Sequence, residues 1–520
     1  MSQVAAVDIG TSGIRCQLLD PGTGKVLRTC ITAGNPLPGS NVMDHMSFAI
    51  TYGIGLAHSI LSSAVKETLL SLKPEGLTRI AVCGNPIQLS IFEGIGIKDL
   101  AFAGENRLAK DDVVRYDRVG HVIDGEAVGF PGVEVYIPPA VKHEIGADAL
   151  AMMLKSGFLD DDLCMVTDYG TNAEMALKVG NTIYTGSAAA GPAMEGQQIG
   201  CGMIAGPDVV SDMVRTPQGW RTVVLDNDLM PVDGPLINLR SGIYDSSGRA
   251  PQGITGTGVV AMVYGFMQDS LNDDSEREVR VSRRIYFNTD DYREAGKAIG
   301  AIRAGHLTLM IKAGIDPSEI HTMYMAGASG TYVDPIKAKY VGMVPPTCTK
   351  VVQVGNTSIE LAKDLVLHPE LLEGLNEMRR KLSSEHVMFA SSDVFRELYL
   401  MEYGYWNDGM PLNRYRRTLE RYGIEGYLDN ITDTDVERIC IRDIRDIGES
   451  LSVYVPHTRM EADWDCSRCG NCQRGCPGKA LTVGDRFSID TRLCLGTACL
   501  RCEENCPEKR YDYSAFRIVP

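Results

Sequence analysis

Eight of the chain's 15 cysteines fall between residues 466 and 506. They form two runs, each closed by a Cys-Pro pair. Cys466, Cys469, Cys472 and Cys476 before Pro477 give C-x2-C-x2-C-x3-C-P, and Cys494, Cys499, Cys502 and Cys506 before Pro507 give C-x4-C-x2-C-x3-C-P. Thiolates spaced at threes wrap soft anionic ligands around a small volume, which suits an iron-sulfur cubane. Structural zinc also uses cysteine pairs, but it favours two separated C-x2-C pairs rather than two copies of a four-cysteine run. These residues therefore predict electron transfer.

A second chemistry sits far upstream. Residues 4–20, VAAVDIGTSGIRCQLLD, read as an apolar strand, a D-x-G-T-S turn and a second strand. Residues 163–187, LCMVTDYGTNAEMALKVGNTIYTGS, repeat that plan. Glycines and small hydroxyl residues between strands turn backbone N–H groups into one concavity, a nest for phosphate oxygens. Gly10, Thr11 and Ser12 form one nest, and Gly170, Thr171 and Asn172 the other. The leading Asp8 and Asp168 would repel phosphate unless Mg²⁺ or its waters stood between them, so they are expected to organise the metal and the attacking water. Glu174, just beyond the second nest, is either a base or supporting partner there or an outward, solvated carboxylate on an alternating strand. Two phosphate look-alikes fail. In the P-loop pattern Leu19 and Val26 occupy positions that need Gly and Ser or Thr, and GTGVVA at 256–261 follows a loop, so both read as turns or helix starts.

These residues must be held by larger elements. A repeat 160 positions long implies two similar domains facing each other across a nucleoside triphosphate. Residues 292–314 read as a helix ending at a glycine cap, before a strand and the small-residue turn of MAGASG at 325–330. KALTVGDRFSIDTRLC, between the cysteine runs, reads as strand, Gly-Asp turn and strand. The expected organisation is a first lobe over 1–140, a second over 141–375, a helical connecting region over 376–460 and a cluster module over 461–520. The connector is dense in Tyr and Arg and is expected to brace the cluster module. A net charge of -16 and a pI near 5.1 argue against nucleic acid or an anionic membrane as partner. No apolar segment is long enough to span a bilayer, and MSQVAAVDIG enters a strand at once, so the expected location is the cytoplasm. The other seven cysteines, scattered singly, are expected to be core residues.

The tail resembles two-cluster bacterial ferredoxins, an α+β fold. That resemblance implies two 4Fe-4S clusters, each on three cysteines of one run and the fourth of the other. One is expected on Cys466, Cys469, Cys472 and Cys506, the other on Cys494, Cys499, Cys502 and Cys476. The longer gap after Cys494 departs from the family spacing and bears on the second cluster's geometry. The paired D-x-G-T turns and MAGASG resemble the actin-like ATPases, an α/β fold of two ribonuclease H-like lobes. In that group both turns hold phosphate and the later glycine-rich turn, here Gly327, Ala328 and Gly330, approaches adenosine. Closer still, AVCGNPIQLSIFEG, EIGADALAMML, TDYGTNAEMAL, AAAGPAMEG and GNTSIELAKDL resemble the ATP-dependent reductive activators of corrinoid proteins, notably the type serving methylamine methyltransferases. This implies reduction of a corrinoid methyl carrier from Co(II) to Co(I), with ATP, Mg²⁺ and an external low-potential electron donor; homodimerisation stays open. Two alternatives are an activator of another redox metalloprotein and a small-molecule kinase with a redox-sensing tail.

Overall fold

The computed structural model describes residues 2–101, 113–140, 145–170, 172–188, 198–203, 205–271, 276–382, 384–429, 431–440 and 443–519. The chain divides into two compact units. One comprises Met1–Ala151, Ser358–Lys381 and Asp446–Pro520, the other Met152–Thr357 and Leu382–Arg445. Neither is contiguous, and positions 140, 375 and 460 all lie within segments of the first. No described helix is long and apolar enough to cross a membrane.

The first unit is built on a seven-stranded sheet. Strands β1 (Gln3–Ile9), β2 (Ile14–Leu19) and β3 (Val26–Thr32) form an antiparallel meander. β4 (Leu77–Gly84) pairs parallel with β1, and β5 (His121–Asp124) and β6 (Glu134–Ile137) complete that side. Almost every residue of β1 is buried, as a strand covered on both faces requires. A late strand, Leu451–Tyr454, adds parallel to β3 at the edge.

The second unit repeats this order. β7 (Leu163–Tyr169), β8 (Ala173–Val179) and β9 (Thr182–Ala188) form the meander. β10 (Thr322–Ala326) pairs parallel with β7, and β11 (Lys350–Gly355) parallel with β10. Ser384–His386 joins β9 and Asp435–Arg438 joins β11. Thus the expected internal repeat is a repeat of sheet topology. A separate five-stranded sheet spans residues 209–254, and GTGVVA opens the helix Gly256–Gln268 behind its cap, Thr255. The seven scattered cysteines are all buried.

The Tyr- and Arg-rich region packs within the second unit rather than serving only as a connector. Helix Thr289–Ala313 begins in a capping box at Asn288 and Asp291 and ends at left-handed Gly314. On one face, Gly296 and Gly300 admit helix Asp393–Asn407 so closely that added Cβ atoms would lie 2.5 Å from Trp406 Cβ and 2.7 Å from Glu402 Cβ. One turn on, the Arg303 guanidinium meets the Glu402 carboxylate in two 2.6 Å hydrogen bonds. Trp406 Nε1 and Tyr415 Oη also donate to that carboxylate, which is fully buried. A desolvated pair this well satisfied depends on both partners. Glu402→Ala should destabilise the fold by about 3–5 kcal/mol, because Arg303 keeps its charge and loses its acceptor. The check is the urea midpoint, which should fall while iron content at the distant cysteines is unchanged.

Within the first unit, the cysteine-bearing module is a four-stranded sheet ordered Leu481–Val483, Phe487–Asp490, Arg459–Ala462, Arg517–Ile518. The expected strand–turn–strand between the cysteine runs is the antiparallel hairpin at one edge of this sheet.

Candidate functional site

Asp8 lies near the end of β1, 5% exposed, opposite Arg15 of β2, whose Nη1 is 3.7 Å from its carboxylate. The turn that follows is tight: Gly10 N–H donates to Gly13 O at 2.9 Å. It is braced from behind by residues that motif reading passes over. Asn35 Nδ2 donates to Gly10 O at 2.9 Å, Asn85 Nδ2 donates to Thr11 Oγ1 at 3.2 Å, and Thr32 Oγ1 accepts from Ile14 N–H at 2.8 Å. At Gly84 a Cβ would stand 2.6 Å from Ile9 O, so β4 can approach β1 at this point only as glycine.

Asp148 is a further carboxylate on this side. It sits in the first turn of helix Ala147–Lys155. Burial pushes its carboxyl up to about 6, opposed by a hydrogen bond from Ala149 N–H and reinforced by the charge of Asp8. A carboxyl held near neutrality beside a second carboxylate suits proton transfer. The only sequence signal was its place in EIGADALAMML.

In the second unit the two separately identified segments converge. Parallel pairing sets Ala326 of β10 beside Asp168 of β7. The next residue, Gly327, has φ 80°, and a Cβ on it would stand 2.2 Å from Asp168 Oδ1. Gly327, Ala328 and Gly330 are the first turn of a short helix, Gly327–Tyr332, rather than the free turn expected. Gly330 packs on the Tyr169 ring, where a Cβ would come within 3.1 Å. Gly170 N–H donates to Asn172 O at 3.1 Å, one residue closer in sequence than the Gly10 to Gly13 bond of the first turn. Thr171 of this nest lies outside the described residues, as do residues 189–197. Glu174 stands directly opposite Asp168 across the β7–β8 ladder, which places both carboxylates on one sheet face. Ser187 Oγ donates to Glu174 at 3.4 Å.

The cysteines gather as four and four. Cys466, Cys469, Cys472 and Cys506 line one hollow of about 330 Å³, backed by Trp464, Phe487 and Tyr511. Cys476, Cys494, Cys499 and Cys502 line another of about 410 Å³, with Tyr52 and Tyr513. Each set takes three thiols from one run and the fourth from the other. Among the described residues no group of His, Cys, Asp or Glu is drawn together as a single-ion site. Backbone N–H groups already address sulfur: Arg468 to Cys466, Ala480 to Cys476, Gly496 to Cys494 and Arg510 to Cys506, at 3.3–3.4 Å. Burial acts to raise the Cys506 thiol, but N–H groups of residues 508–511 outweigh it and bring it below the usual thiol range. Burial instead raises the Cys472, Cys494 and Cys502 thiols, the last to about 11, so the fit to iron-sulfur clusters rests on the four-and-four grouping and the N–H donors to sulfur.

Comparison with known proteins shows the family. The C-terminal ASKHA domain family of RACo matches residues 162–281 and 270–416. The chain is 42% identical over 517 residues, covering 95% of each chain, to the Co(II) methylated amine-specific corrinoid protein reductase of Methanosarcina barkeri. It is 24% identical over 431 residues, 76% of this chain and 69% of the relative, to corrinoid activation enzyme RamQ of Eubacterium limosum. A solved structure described as a reductive activator for corrinoid, iron-sulfur protein shares the fold, with a TM-score of 0.63 at 20% identity over 79% of this chain and 68% of that one. Identity that high along nearly the whole of both chains, with the fold and the repeated turns in place, means that the chain belongs to the ATP-dependent reductive activators of corrinoid proteins.

Proposed function

We propose that this protein uses ATP to reduce a corrinoid methyl-carrier protein from inactive Co(II) to Co(I), and that methylamine metabolism is the setting. The observation that carries the reading is the union in one chain of two aspartate-led phosphate turns and two four-thiol hollows. Restoring cobalt(I) is uphill for ordinary donors, and each 100 mV of deficit costs about 2.3 kcal/mol per electron. Electron carriers alone cannot supply that, whereas a nucleotide that binds two conformations unequally can.

The roles follow from position. Gly10, Thr11 and Ser12, with Gly170, Thr171 and Asn172, receive phosphate oxygens. On this reading Asp8 and Asp168 serve Mg²⁺, which when bound would offset phosphate charge, and Glu174 in the second unit and Asp148 in the first are the candidates to align or deprotonate the attacking water. Gly327, Ala328 and Gly330 leave room for the nucleoside. Two 4Fe-4S clusters, when held by the eight thiols, relay single electrons from an external low-potential donor.

The deciding experiment follows ATP turnover and the cobalt(I) absorption together. Cobalt(I) should appear only with ATP, a reductant and the corrinoid protein all present. ATP turnover that ignores the corrinoid protein, with phosphate appearing on a sugar or acid, would favour the kinase alternative. A sharper local test is Gly327→Ala. The φ of 80° and the 2.2 Å approach to Asp168 leave no room for a methyl group. A left-handed alanine costs roughly 1–2 kcal/mol and the carboxylate must also move, so nucleotide affinity should fall at least about tenfold in equilibrium dialysis.

A further inference from the structure

The two hollows differ in what surrounds them. Every residue lining the first lies within the cysteine module, between Trp464 and Tyr511. The second is completed by Tyr52, from helix Val42–Tyr52 of the same unit's ATPase portion. The Tyr52 ring stacks on Tyr513 at 4.5 Å and its hydroxyl donates to Glu503. Tyr513 Oη in turn donates to Cys494 Sγ at 3.4 Å.

The stretch leading into that helix touches both sites. At its start, Thr32 Oγ1 receives Ile14 N–H and donates to Gly34 O, while Asn35 holds Gly10 O. A few residues on, Pro36 O accepts from Thr491 Oγ1, and Gly39 N–H donates to Cys494 O at 2.9 Å. Pro38 packs against Gly496, where a Cβ would lie 3.2 Å from the proline carbonyl oxygen. Residues 32–41 therefore form a short hydrogen-bonded strap. One end grips the back of the first phosphate turn, and the other grips the peptide of a cluster ligand.

We propose that residues 32–41, together with Tyr52, couple the first phosphate turn to the second thiol set. Nucleotide binding then lowers the reduction potential of the cluster at Cys476, Cys494, Cys499 and Cys502 and leaves the cluster at Cys466, Cys469, Cys472 and Cys506 unmoved. Hydrogen bonds to cluster sulfur raise a potential, so any shift of the strap that weakens the Tyr513 contact lowers it. Added phosphate charge in the same unit acts in the same direction. The cluster linked to the phosphate turn by the strap would thus become the stronger reductant only when ATP is present. This inference rests on the assignments of nucleotide and clusters made above.

The test is a redox titration followed by electron paramagnetic resonance on the full chain, anaerobically reconstituted, with and without Mg²⁺ and a non-hydrolysable ATP analogue. Cys476→Ala and Cys506→Ala assign the two signals. The expected result is a fall in the second cluster's potential worth at least a tenfold change in its oxidised-to-reduced ratio, about 59 mV for one electron. Tyr52→Phe and Thr491→Val, each isosteric, should keep iron and nucleotide binding and lose most of that shift. Equal shifts at both clusters, an upward shift, no shift with nucleotide demonstrably bound, or a full shift in both variants would overturn the coupling. Failure of the analogue to bind at all would instead overturn the nucleotide assignment.

Discussion

Cys506→Ala, purified without oxygen, should retain about four of about eight irons and lose the same spectral signal as Cys469→Ala, although the two residues belong to different runs. The structure gives the reason. Cys506 closes the hollow lined by Cys466, Cys469 and Cys472, while Cys476 closes the one lined by Cys494, Cys499 and Cys502. Cys476→Ala should therefore remove the other signal, that of Cys499→Ala. If each run held its own cluster, Cys506→Ala would pair with Cys499→Ala instead, so the pattern of shared losses separates the arrangements. Nucleotide affinity should be close to that of the unaltered chain in Cys469→Ala and Cys506→Ala, whose cluster the strap at residues 32–41 does not touch. The expected loss of activation is nearly complete, since a one-electron relay with either station missing has no path at comparable rate.

Much of this was legible in the sequence, and what was not shares one physical character. Cysteine spacing is local information, so the two runs were legible, whereas the sharing of a fourth thiol between them followed from the resemblance to two-cluster ferredoxins. The paired D-x-G-T turns are local too, and they carry the strand–turn–strand plan that became the two meanders. What local pattern does not encode is pairing between distant segments. Leu451–Tyr454 joins the edge of β3 across most of the chain, and Asp435–Arg438 joins the edge of β11 past the intervening helices, so neither pairing shows in a local pattern. The same limit hid Asp148, which matters only because folding sets it near Asp8, and Asn35 and Asn85, which matter only as braces behind a turn. The Tyr- and Arg-rich stretch suggested an interface because aromatic and guanidinium groups are usually enriched there. Here they enclose a buried ion pair against Gly296 and Gly300, a use invisible without the partner helix.

Asp168→Ala separates the two halves of the chemistry most sharply. Its carboxylate sits where β7 and β10 end together, touching the space beside Gly327 and sharing a sheet face with Glu174. On the role proposed above it would hold the metal that offsets the developing phosphate charge, a contribution of several kcal/mol. Losing about 4 kcal/mol of it slows hydrolysis roughly a thousandfold. The variant should therefore keep its iron and its electron paramagnetic resonance signals, and it should accept electrons from a chemical reductant. It should nonetheless fail to generate cobalt(I). Glu174→Gln should cost less, roughly ten- to a hundredfold, because it leaves the metal-organising carboxylate in place and removes only a group that aligns or deprotonates water. The ordering is the informative outcome. Equal losses would make the two carboxylates one functional unit, while an Asp168→Ala chain that still restores cobalt(I) would mean that the electron needs no help from ATP and that the repeated turn serves something else.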